Sequence, residues 1–105
     1  MIKKVFKEIE RFVPDKHNGV LVANGERTKI MLLCLSIGAI VPPHSHPGYE
    51  VTLQPLKGKA KFPMGMNQEM LLQPGEFYFM DGETSIYLKN PFEENFQMLI
   101  HLVKK

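Results

Sequence analysis

Apolar and polar residues change over along this chain in short runs, and the runs are cut by 8 glycines and 8 prolines. That punctuation predicts many short strands and an all-β sandwich or barrel. The segments Gly19–Ala23 and Thr28–Ser36 flank Asn24-Gly25, a pair that predicts a hairpin because both residues tolerate positive φ. The second arm is long and apolar and belongs in the core; Gly38 and Pro42-Pro43 end it. After His44-Ser45-His46, the pair Pro47-Gly48 suits the centre of a type II turn, and Tyr49–Leu53 reads as a strand. Pro55 predicts a bulge or a sheet edge. Lys59–Met64 alternates, with Ala60 and Phe62 on one face and Lys59 and Lys61 on the other. Gly65–Gln68 reads as a hairpin loop, Met70–Leu72 as a strand and Pro74-Gly75 as a turn. Phe77–Met80 and Ser85–Leu88 read as strands around Asp81-Gly82, and Asn90-Pro91 breaks the chain. Phe96–Val103 is a final strand, apolar on both faces except for Gln97 and His101. At the other end, Val5, Phe6, Ile9, Phe12 and Val13 sit at helix-like spacing. They predict a short strand near Lys3–Phe6 and then a helical turn closed by Pro14.

Composition narrows this picture without redirecting it. A chain of 105 residues fits a single domain, 1–105, with the barrel core over about residues 20–103. At 44% hydrophobic and 23% charged residues it is too apolar for a disordered protein. A net charge of +2 implies no nucleic-acid partner, since the lysines cluster at the two ends and no basic groove interleaved with aromatics is visible. The single cysteine, Cys34, lies in an apolar run and reads as a small buried hydrophobe; no intramolecular disulfide is possible. No apolar run reaches the length of a membrane span, and no signal-peptide pattern follows Lys3-Lys4, so no membrane partner and a cytoplasmic setting are expected. A barrel this small gains core by pairing subunits, and the two-sided apolar last strand points the same way, to a homodimer.

Candidate chemistry concentrates at His44, His46 and Glu50. Two histidines two residues apart on a strand project to one face, and Glu50 follows across a tight turn. Two imidazoles and a carboxylate suit a divalent transition metal: Fe, Mn, Ni, Co or Zn. Three protein ligands leave positions open for water or a small-molecule substrate. His101 on the last strand is a further candidate ligand. His17, beside Asn18-Gly19, reads as an exposed loop residue. The seven methionines read mainly as packing, and Phe62, Phe77, Tyr78, Phe79 and Tyr87 as an apolar pocket lining.

The segment Gly38–Gly58 resembles the first signature motif of the cupin superfamily: a glycine, five residues, His-x-His, three or four residues, Glu, six residues, glycine. Gly38, His44, His46 and Glu50 match in identity and spacing; Gly58 falls one residue late, which a bulge at Pro55 would absorb. The second motif is degraded. Gly75, Glu76 and Phe77–Phe79 look like its opening strand and Gly82 like its inner glycine. Met80 stands where a proline is expected, Ser85 where the fourth metal ligand is expected, and Asn90 one residue past the expected asparagine. The chain is thus similar to small single-domain, cupin 2-like proteins. That resemblance implies a double-stranded β-helix, a jelly-roll-like barrel of two packed antiparallel sheets with a metal inside. Ser85, Tyr49, Tyr78, Tyr87 and Phe62 would then line the ligand pocket. Three outcomes follow from the serine: a His44–His46–Glu50 site completed by water, a site completed by His101, or a polar pocket without metal. Two functional readings stand beside them. One is a metal-dependent enzyme, oxygenase- or isomerase-type, acting on a small organic molecule. The other is a non-catalytic module that binds or senses a small ligand or a metal.

Overall fold

In the computed structural model, which describes residues 1–105, one helical turn precedes nine strands. They are α1 (Phe6–Ile9), β1 (His17–Asn24), β2 (Thr28–Leu35), β3 (Ile40–His44), β4 (Tyr49–Lys57), β5 (Ala60–Pro63), β6 (Glu69–Leu72), β7 (Tyr78–Asp81), β8 (Ile86–Lys89) and β9 (Phe96–Lys104). Five strands form one sheet in the order β1-β2-β9-β4-β7, and four form a second in the order β3-β8-β5-β6. Neighbours in both sheets run antiparallel. The expected all-β architecture of two antiparallel sheets is therefore present. No helix is long and apolar enough to cross a membrane.

Strand alternation builds the core. Val51 and Leu53 of β4, Met98 and Leu102 of β9, Leu33 and Leu35 of β2, and Ile86 and Leu88 of β8 all point between the sheets and are buried in one cluster. Each side chain of this size contributes roughly 1.5–3 kcal/mol when fully buried. A smaller buried layer lies on the outer face of the five-stranded sheet, where Leu32, Cys34 and Gln97 are inaccessible. The N-terminal segment reaches this layer. Gln97 donates to the Glu10 carboxylate at 3.3 Å, Glu10 pairs with Lys57 at 3.6 Å, Ser36 Oγ donates to Val13 O at 2.7 Å, and Asn18 donates to Arg11 O at 3.0 Å. The outer face of β9 near Gln97 thus has contacts within its own chain. Cys34 has the packing role expected of it, and burial above all pushes its thiol up.

Several turn assignments hold. The backbone N–H of Tyr49 donates to His46 O at 3.2 Å, and Gly48 has φ 87°, a value that calls for glycine at the third position of a type II turn. The β4–β9 register slips between Pro55 and Lys57, which is the bulge that carries Gly58 one residue late. Gly65–Gln68 closes the β5–β6 hairpin, with Met64 N–H donating to Gln68 O at 2.8 Å. The hairpin expected around Asn24-Gly25 is present, β1 pairing with β2, although neither residue has positive φ; the loop takes residues 25–27, and Gly25 N–H donates to Thr28 O at 2.7 Å. One expectation is corrected. Lys3–Phe6 forms no strand: it joins neither sheet, and Phe6 already opens α1.

Candidate functional site

His44 closes β3, and His46 begins the turn that leads into β4. Their rings stand edge to face, with centroids 4.9 Å apart at 83°. His44 Nδ1 donates to Pro42 O at 3.0 Å. Only the ring can supply that proton, so Nε2 of the neutral imidazole carries the free lone pair. The His46 backbone is tied to residue 82: its N–H donates to Gly82 O at 2.7 Å, and Gly82 N–H donates to Tyr49 O at 2.8 Å. A Cβ on Gly82 would sit 2.1 Å from His46 O and 2.4 Å from Tyr49 O, so only glycine allows this approach. The inner glycine of the second motif is thus the backbone seat of the first motif's second histidine.

The two imidazoles form one end of a cavity of about 440 Å³ between the sheets. Its other walls are mostly apolar, among them Met31, Leu33, Ile86, Leu88, Ile100 and Leu102. His17 lines the same cavity. His17 is exposed, as expected, but it opens β1 and is not in a loop, and pairing of His17 with Leu35 and of Gly19 with Leu33 puts it on the sheet face that lines the cavity. His17 Nδ1 donates to Ile40 O at 3.1 Å, the same arrangement that His44 makes one step along β3. Lys29 pairs with Leu102 and so stands on the inner face at the start of β2. The pKa of His46 is lowered, first by burial and then by the positive fields of His44 and Lys29.

The remaining candidates fall elsewhere. Glu50 is exposed and pairs with Val103 and Asp81, on the face of β4 opposite to the buried Val51 and Leu53. The single residue between the end of the turn and Glu50 decides this, because it puts Tyr49 inward and Glu50 outward. His101 pairs with Thr52 and Ile30, between the inward Ile100 and Leu102, so it too lies on the outer face. Its Nε2 is buried there without a partner. On β8 the residue opposite His44 is Ile86, 2% exposed, whereas Ser85 is exposed and outside the histidine cavity. The position inferred for a fourth ligand is therefore one residue off in face, and an isoleucine closes it. No three His, Cys, Asp or Glu side chains converge. These residues do not fit a shell of three histidines and one glutamate.

Ser85 lines a second, larger cavity of about 700 Å³, together with Phe62, Tyr78 and Tyr87. Four of the five expected pocket residues meet there; Tyr49 does not, and packs against the core instead. Met64, Met70 and Met80 complete its apolar walls, with Phe77 and Phe79 at the exposed rim. The Tyr78 hydroxyl donates to the Glu76 carboxylate. Its pKa is pushed up to about 12, by burial first and by Glu76 second. Asn90, 1% exposed, lines neither cavity: its amide donates to Leu35 O at 3.1 Å and to Glu94 O at 2.9 Å, and its Oδ1 accepts from Phe92 N–H at 3.1 Å.

Two antiparallel sheets built from one chain, with the His-x-His turn seated on the inner glycine, have the double-stranded β-helix fold found in cupin structures. Solved structures, cupin proteins among them, share this fold over nearly the whole chain. The TT1209 protein of Thermus thermophilus is 25% identical, with a TM-score of 0.84, covering 99% of this chain and 98% of its own. A conserved Klebsiella pneumoniae protein with a double-stranded β-helix domain is 16% identical, with a TM-score of 0.87, covering 97% and 89%. An RmlC-like cupin protein of Desulfovibrio desulfuricans is 20% identical, with a TM-score of 0.84, covering 98% and 96%. No family model and no curated protein sequence matches the chain.

Proposed function

We propose that this small cupin-fold protein is a non-catalytic module that holds a small organic molecule in the cavity under His44 and His46. The observation that carries this reading is the pairing of two imidazoles, 4.9 Å apart, with an otherwise apolar cavity of about 440 Å³. Pockets of this size and make-up, apolar walls with a few convergent polar groups, are what small ligands occupy. A metal-dependent enzyme with His44, His46 and Glu50 as ligands is less well supported, since Glu50 lies on the far face of β4.

The test is an NMR screen of small aromatic and aliphatic compounds against the labelled protein. Binders should shift the methyl signals of Met31 and Ile100, which line the cavity, and a Met31→Trp variant should block them by filling it. Binders that shift only other methyls, or that survive Met31→Trp unchanged, would remove the proposal.

A further inference from the structure

We infer that the larger cavity is a second, separate binding site, and that it takes an uncharged aromatic molecule. Of the residues lining it, only Pro43 also lines the histidine cavity, so the two sites can be tested apart.

This cavity of about 700 Å³ runs from the core to the surface. Phe62, 5% exposed and part of the core cluster, forms its floor. Tyr78 and Met80 reach it from β7, where they pair with the buried Leu53 and Val51 and so share their face. Phe77 and Phe79 stand at the rim with most of their surface in water. Two exposed rings beside a space of this size are apolar surface that a ligand entering it would cover. A neighbouring protein surface would cover the rim alone, because a space that reaches the core cluster is filled only by a group small enough to enter it.

The chemistry of the wall selects the ligand's class. No lining residue is an acid, a lysine, an arginine or a histidine. Tyr78 keeps its proton at neutral pH, since burial and Glu76 push its pKa up to about 12. Glu76 and Lys89 lie outside the wall, and both already have partners. Glu76 accepts from the Tyr78 hydroxyl and from Gln73, and the Lys89 ammonium sits 5.5 Å from the centre of the Tyr87 ring. An ionised group entering here would give up its water and meet no counter-charge, which is costly. Met64, Met70 and Met80 supply polarizable thioethers, which pack favourably against aromatic rings. Thr84, Ser85 and Tyr87 offer hydroxyls that can orient a ligand carrying a neutral N–H or O–H. Unbranched thioethers follow the outline of whatever ring arrives, so the site is selective for uncharged aromatics as a class and permissive within it.

The probe is N-phenyl-1-naphthylamine, a neutral dye whose emission rises in apolar surroundings. Its charged match is 8-anilino-1-naphthalenesulfonate, the same rings with a sulfonate added. The chain has no tryptophan to interfere. Each dye is held at low concentration, titrated with the whole protein, and located by NMR of the methionine methyls. Met64, Met70 and Met80 line this cavity and Met31 lines the other. The neutral dye should bind about tenfold or more tightly than the anion. It should move the methyls of Met64, Met70 and Met80 and leave Met31 in place. Ser85→Trp, a change at an exposed position, should narrow the cavity and weaken the neutral dye by about tenfold. An anion that binds as tightly at the same methyls would overturn the inference, as would unchanged binding to Ser85→Trp. So would a neutral dye that moves only Met31, which would place it in the histidine cavity and leave the reading of that cavity standing. Emission that stays flat as the protein reaches millimolar concentration would also end it. Methyls of Met64, Met70 and Met80 that shift on diluting the protein alone would assign this wall to a second copy of the chain instead.

Discussion

The two cavities share Pro43 as a wall and differ in how their polar groups are disposed. In the histidine cavity the polar groups are imidazoles, His44 and His46 at one end and His17, opposite Leu35, toward the other. In the larger cavity the Tyr78 hydroxyl is tied to Glu76 outside the wall, and the other polar groups are the neutral hydroxyls of Thr84, Ser85 and Tyr87, set among methionine and aromatic surface. The first arrangement can discriminate by charge. The second can discriminate chiefly by shape, and flexible thioethers make even that permissive. Size alone does not separate them by chemistry: the larger one has more room, and its polar groups are neutral hydroxyls where those of the smaller one are imidazoles.

The comparison can be broken hardest at Phe62. This ring is 5% exposed and belongs to the core cluster, yet it also lines the larger cavity, whose rim residue Phe79 is 63% exposed. Phe62→Ala should destabilise the protein by about 3–5 kcal/mol through lost burial and the void left behind. Phe79→Ala should stay within about 0.5 kcal/mol. Urea unfolding of both variants checks this. Equal losses would mean that floor and rim of that cavity are not distinct, and the contrast drawn between core wall and open mouth would fail.

Gly82 sharpens the comparison from the backbone. An alanine there has only the carbonyls of His46 and Tyr49 to press against, and neither can swing aside as a side chain would. The expected cost is about 3 kcal/mol, at the upper end for overpacking. The backbone amide signals of His46 and Tyr49 should move with it. A Gly82→Ala protein as stable as wild type would show that the seat of the His46 turn is looser than these distances imply.

What the chain's pattern disclosed, and what it withheld, divides along physical lines. Alternation and punctuation disclosed the sheets, because side-chain period and turn chemistry are local; Pro55 even marked its own bulge. Which residue faces inward after a turn is not local. Glu50 keeps the motif spacing but points outward, because pairing with β9 sets its face, and β9 is almost fifty residues away in the chain. Ser85 lost its expected place to Ile86 for the same reason, through pairing with β3. His17 was hidden at a strand end, where the limits of strands are least legible. The pocket residues Phe62, Tyr78, Ser85 and Tyr87 were found as a group, since large apolar or small polar residues between turns seldom have elsewhere to go, but the group proved to belong to a different cavity from the histidines.

The smallest expected effect separates the cavities by pH. The His46 pKa is lowered in the folded protein, by burial first and by His44 and Lys29 next, while the unfolded chain titrates near the ordinary value of about 6.5. Below that value the unfolded state binds the proton more readily than the folded state does. Stability is therefore complete above about pH 6.5, declines as the pH falls from there toward the depressed folded value, and levels off once both states are protonated. His46→Gln removes the titrating ring, so its melting temperature should fall less over the same interval than that of wild type. Lys29→Gln should flatten the profile partly, since it removes only one of the two positive neighbours, and added salt should imitate it by screening. Tyr78→Phe serves as the control from the other cavity, because its hydroxyl titrates only at about 12 and cannot bend the curve near neutral pH. Superimposable melting profiles for wild type and His46→Gln would mean that the histidine end is not strained by its own positive charge. The histidine end would then differ from the larger cavity in the identity of its polar groups and not in their electrostatic strain.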